Sequence, residues 1–170
     1  MEFVNQTVID RKALTALAKG ARKSVRRRRG HVIRILGGAI ILLNVFFCWV
    51  SLRTGDSRWW VNGALALFLL VIIFGEDQLN GRVSAKYVLP DAREVTTTFD
   101  AEQYTHRTPS SESRFTYDQI QAVCETEDYF LFYLNRNLGQ IFDKNGFTTG
   151  SAMAFRDFIS RKTGLAVRNI

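Results

Sequence analysis

Cysteine is scarce and badly placed for a cross-link. Cys48 lies in a long apolar run and Cys124 in the polar second half, so a disulfide framework is excluded and a reducing compartment suits both. His31 and His106 stand far apart, and neither has a Cys or His at metal-ligand spacing. Gly-rich phosphate loops, GxSxG, HExxH and a paired-carboxylate motif are missing, so no catalytic residues, metal or cofactor are implied and the chain reads as non-enzymatic. Asp118, Glu125, Glu127, Asp128 and Asp143 read as turn and rim residues, and His106 as a surface histidine. No acid or base interrupts Ile35–Leu52 or Trp59–Phe74, which argues against an ion-coupled pump acting alone.

Those two apolar runs organise the chain. The first has 18 residues, roughly 27 Å of helix and close to the hydrocarbon thickness of a bilayer. The second has 16, roughly 24 Å, and spans only if Gly75–Leu79 continue the helix or the bilayer thins. A buried hairpin of a soluble protein would keep a polar stripe, which neither run has. Trp49 closes the first run while Trp59 and Trp60 open the second, as membrane-interface anchors beside the loop Ser51–Arg58. The pattern predicts a transmembrane hairpin over 35–79, with spans at 35–52 and 59–79. Asn44 lies mid-span, where an amide needs a partner, either in a second copy or another membrane protein or locally within its own helix. Gly37, Gly38, Asn62 and Gly63, with Ala64 and Ala66, supply small or polar surfaces for helix packing.

Charge is uneven. The net +7 arises from ten Lys/Arg against two acids in Met1–Arg34, whereas Gly75–Ile170 carries eleven against thirteen. A nucleic-acid-binding domain needs its own basic excess, and the second half lacks one, so no nucleic acid is expected. Basic residues beside a span set topology, so both termini are expected in the cytoplasm of a cell with the protein in its inner membrane. A cleaved signal peptide does not fit a charged region this long without a small-x-small site.

In the arm, 1–34, Glu2–Val8 is compatible with a strand and Thr7 with Asp10 resembles a capping box. Leu14, Leu17, Ala18, Ala21 and Val25 then form an apolar stripe beside Lys12, Lys19, Arg22, Lys23 and Arg26. Two readings stand: Arg22, Lys23, Arg26, Arg27, Arg28 and Arg29 grip anionic headgroups of the lipid bilayer, or the stripe packs on the protein's own soluble domain. His31 reads as a bystander.

After a connector at 80–92, ended by Pro90-Asp91, the period changes to strands. Val95, Thr97 and Phe99 alternate with polar residues; Gln103–Thr108, Arg114–Tyr117, Ala122–Thr126, Tyr129–Leu134 and Gly139–Asp143 follow, separated by turns. Tyr129–Leu134, apolar on both faces, reads as the central strand. From Ser151 a helix with Ala152, Phe155, Phe158 and Ile159 on one face closes the module, stopped by Gly164. Arg114, Arg136 and Lys144 form a candidate anion site on its loops.

Phe115–Ile120, Glu125–Phe130, Ile141–Phe147 and Phe155–Ile159, behind two spans and a basic arm, resemble the YcxB-like family of small bacterial membrane proteins. That family often has Pro before the motif lysine, where this chain has Asp143. The resemblance implies an α+β membrane protein: a two-helix transmembrane hairpin, then a pleckstrin-homology-like or GRAM-like antiparallel β domain over 93–170 with one C-terminal helix. It implies no activity. The expectation is a membrane-held interaction or sensing protein, and the alternative an accessory or self-protection subunit of a membrane transport complex, with homo-oligomer contacts through the spans.

Overall fold

A computed structural model describes residues 2–88 and 93–170, the side chains of 27–29 excepted. The chain divides into two units, residues 27–79 and a module made of 1–26 with 80–170. Of the arm, 1–34, Phe3–Lys23 belong to this module, and the end of the connector at Pro90-Asp91 lies outside the described residues.

In the module, β1 (Phe3–Val8) lies between β2 (Glu94–Phe99) and β8 (Phe147–Thr149). With β3 (Gln103–Arg107) and β4 (Glu112–Thr116) they make a five-stranded sheet in the order β4-β3-β2-β1-β8. β1 pairs along its whole length with β2, from Phe3↔Phe99 to Val8↔Glu94. The second sheet, β7-β6-β5-β9, contains β7 (Gly139–Asp143), β6 (Tyr129–Tyr133), β5 (Ala122–Glu125) and β9 (Arg168–Asn169). The antiparallel strands of the module thus fall into two sheets, because the 3-10 turn Tyr117–Gln119 separates β4 from β5 and the two do not pair. β4 ends at Thr116, since Tyr117–Gln119 turns into a short 3-10 segment.

Period-2 alternation buries Phe3, Val95, Phe99 and Tyr104, and Phe3, Phe99 and Tyr104 share one core with Val123, Phe130, Phe132 and Phe142 of the second sheet. Helix α4 (Ala152–Thr163) lays Phe155, Phe158 and Ile159 on the same core. Ser151 caps its start through the Ala154 amide (3.3 Å), and Gly164, at φ +66°, ends it in the left-handed region.

The outer face of the second sheet is covered as well. Helix α1 (Arg11–Lys23) packs Ala13, Ala16, Leu17 and Ala21 on Cys124, Tyr129, Leu131, Tyr133 and Ile141. This contact explains the uniformly apolar β6, which is buried throughout. It also realises the packing reading of the arm's stripe, with Ala13 and Ala16 rather than Leu14 and Ala18 in the contact. Gly20 is needed there: a Cβ would meet the Tyr133 hydroxyl and Leu131. On its other side α1 meets the end of the second long helix, where a Cβ on Gly81 would strike Thr15.

The second unit holds α2 (Arg27–Thr54) and most of α3 (Trp59–Tyr87), so the helix does continue past Gly75 as the second span requires. Between them Gly55 takes φ +72° and the Asp56 carboxylate accepts from the Arg58 amide (3.0 Å). A Cβ on Gly37 would lie 2.5 Å from Ile73, and one on Gly63 would lie 3.8 Å from the Cys48 sulfur. That antiparallel register brings Asn44 opposite Ala66, and these are the hairpin residues buried most deeply among those described.

Candidate functional site

Three places gather polar or charged side chains. The first is the seam where β1 meets the turn after β7. Asn5 Nδ2 donates to the Asp143 carbonyl (2.7 Å), and the Thr7 hydroxyl donates to Asn5 Oδ1 (2.6 Å) while accepting from the Asp143 amide (2.8 Å). Thr7 is occupied here, so Asp10 alone caps α1, accepting from the Ala13 amide (2.7 Å). The Asp143 carboxylate accepts from the Asn145 amide (2.8 Å) and so closes the turn after β7. Every buried polar side-chain atom among the described residues has a partner. The seam closes the fold and leaves no group over for a ligand.

The second is a charge cluster at the end of β5. Glu125 bonds Lys144 Nζ (2.7 Å) and Arg156 Nε (2.8 Å), and Lys144 also lies 5.2 Å from the centroid of the Phe130 ring. Burial pushes the Glu125 carboxyl up, but the two cations outweigh it and hold the group below its usual range. Of the candidate anion-site residues, Lys144 is thereby engaged by a carboxylate, and Arg114 likewise by Glu112 (3.2 Å), which Arg107 also binds (2.6 Å). Arg136 sits on the β6–β7 turn, apart from both in the topology. The structure does not gather the three into one site.

The third is the end of α1. Arg26 donates from Nε to the Arg136 carbonyl (2.7 Å) and from its guanidinium to Asn137 Oδ1 (3.1 Å), tying the chain just before α2 to the β6–β7 turn. Tyr133 donates its hydroxyl to the Leu17 carbonyl (2.7 Å), a second tie between helix and sheet. Among the other arm residues considered for headgroup contact, Lys23 is exposed and Arg22 is engaged within the protein. The side chains of Arg27, Arg28 and Arg29 lie outside the described residues. Sequence reasoning missed the Arg26 tie, because its partners are a backbone carbonyl and a turn asparagine more than a hundred positions away.

Two further side chains, His106 and Cys124, face the interior of the module. His106, expected on the surface, faces inward: its Nδ1 lies 3.0 Å from the Thr97 hydroxyl and its ring meets Phe142 edge-on. The strand alternation that turns Tyr104 inward turns His106 inward too, and burial lowers its pKa from 6.5 to about 4. Cys124 is fully buried under α1, where burial raises the thiol's pKa and leaves it unreactive. Among the described residues no three His, Cys, Asp or Glu side chains stand as a metal site.

Within the hairpin, Asn44 donates from Nδ2 to the Ile40 carbonyl one turn back (2.8 Å), so its amide finds a partner within its own helix. Gly37 lies against Ile73, Gly38 opens on space, and Asn62 and Gly63 are half-buried near the Cys48 side of the pair. Trp49, Trp59 and Trp60 are exposed around the loop end.

Fold and sites together define an α+β protein in which two helices are long and apolar enough to cross a membrane, joined to a two-sheet module closed by one helix. Residues 99–159, from the last residue of β2 into α4, match the family model of YcxB-like protein, so this segment is YcxB-like as the motifs suggested. No curated protein and no solved structure matches the chain.

Proposed function

We propose that the protein is a non-enzymatic, multi-pass protein of the inner cell membrane that holds a pleckstrin-homology-like interaction or sensing module at the cytoplasmic leaflet, both ends inside. One observation carries this reading. Beyond Asn44 and Ala66 the protein itself buries almost none of the apolar stretches of α2 and α3, so another apolar medium has to cover them. The basic excess of the arm beside α2 supports a cytoplasmic arm that gains from anionic headgroups, at about 1 kcal/mol per basic side chain near the surface.

Reporters fused at either end and in the 55–58 loop test the topology: both ends inside and the loop outside is expected, and ends on opposite faces would refute it. Headgroup contact is tested on the full chain in nanodiscs. Amide exchange over residues 24–29 is expected to slow several-fold with anionic lipid and to recover at high salt. Equal exchange in zwitterionic and anionic discs would remove that part of the reading.

A further inference from the structure

Strand β9 is held unlike the other strands. After Gly164 reverses the chain, Ser160 donates its hydroxyl to the Leu165 carbonyl (3.1 Å) and the following residues run beside β5. The pairing is parallel, the one such pair among the described strands, and covers only Cys124↔Arg168 and Glu125↔Asn169, continued by the Ile170 amide to the Glu125 carbonyl (3.0 Å). β5 begins at Ala122, so the first half of its edge has no β9 partner.

The side chains of this segment straddle the sheet. Leu165 and Val167 reach the core beside α4, whereas Ile170 joins the outer-face cluster under α1, where a Cβ on Gly20 would lie 3.0 Å from it. All three are only half-buried, and Arg168 and Asn169 are exposed. Parallel pairs are weaker per residue, and a two-residue ladder with half-covered anchors belongs to the part of a fold that opens locally. By contrast β6 pairs along its full length with β7.

We propose that the edge of β5, walled by α4 and α1, is a peptide-accepting groove that Leu165–Ile170 occupies as an internal ligand. The partner is an extended protein segment that adds as a strand and carries aliphatic side chains at the positions of Leu165, Val167 and Ile170. Strand addition works this way: backbone hydrogen bonds hold the peptide, and alternate side chains enter pockets on the two faces. The resident segment specifies the chemistry of its replacement. This goes beyond membrane anchoring and does not depend on it.

The test uses the full chain in detergent or nanodiscs with residues 165–170 deleted, and a fluorescent peptide of the Gly164–Ile170 sequence as probe. Saturable binding to the deleted form, at least tenfold weaker to the intact protein and lost when the peptide carries Asp in place of Val167, is expected. A folded deletion variant that does not bind, or intact protein that binds both peptides equally, would overturn the proposal. Should the deletion not fold, hydrogen exchange on the unaltered protein decides: the Ile170 amide should exchange at least tenfold faster than those of β6, and equal protection refutes a releasable segment.

Discussion

Strand β6 and helix α2 are both unbroken apolar runs, and they are kept from water by opposite means. Tyr129–Tyr133 is buried on both faces by its own chain, with aromatic residues of the first sheet and α4 on one side and the alanines of α1 on the other. Leu42, in the middle of α2, is 72% exposed, and Phe46 and Val45 beside it are more than half exposed. The difference teaches that apolarity states a need for cover and length decides who meets it. Five residues can be enclosed by a small module, whereas a helix of bilayer length that is apolar all round leaves no face for a soluble scaffold to solvate.

The contrast can be broken most directly by truncation. Phe132→Ala should destabilise the module by about 3–5 kcal/mol, through lost transfer energy and the cavity among Phe99, Phe142 and Phe155. Leu42→Ala should shift the same unfolding midpoint by less than about 1 kcal/mol, since no protein cavity forms there. Equal effects in a detergent thermal melt would mean that α2 is covered by protein after all.

Acid sharpens the module's side of the comparison. His106 is held neutral in the fold with a pKa of about 4, while the unfolded chain takes its proton near 6.5. Stability from this group is therefore complete above about pH 6.5 and falls as pH drops towards 4, by at most about 3 kcal/mol. His106→Gln, which keeps an acceptor for Thr97, should flatten that part of the stability–pH curve; an unchanged slope would mean that the imidazole is exposed.

Smaller again is the cost of crowding α1. Gly20→Val places a branched side chain against the Tyr133 hydroxyl and Leu131, so a loss of about 1–3 kcal/mol and faster exchange of α1 amides is expected. If stability is unchanged, α1 does not rest on the sheet. The smallest effect belongs to the hairpin: Asn44→Leu removes a bond to the helix's own Ile40 carbonyl, and a change of about 0.6 kcal/mol or less in helix association is expected. A larger loss of intermolecular crosslinking would show that the amide reaches a second copy.

Much of this contrast is visible in the residue order. The hairpin, the turns at Asp100–Glu102 and Asn135–Asn137, and α4 between Ser151 and Gly164 are local. A turn closes through neighbours, as when Asn135 accepts from the Asn137 and Leu138 amides, and a helix announces its own caps. The two-faced apolarity of β6 marked a doubly covered strand, although it could not say that α1 was the second cover. His106 shows where reading failed: its neighbours are polar, and its inward direction comes from the register of β3 with β2.

The sequence by itself determined the two apolar rods, the basic arm, most strands of the module and its closing helix, because period, length and caps act over a few residues. Only the tertiary structure decided that β1 completes the first sheet from the far side of the hairpin, that α1 roofs the second, and that Leu165–Ile170 fills an edge. Those pairings join distant segments, and a short strand such as Phe3–Val8 exposes the same backbone donors and acceptors to every partner. Which one it takes depends on the shape the rest of the chain leaves open.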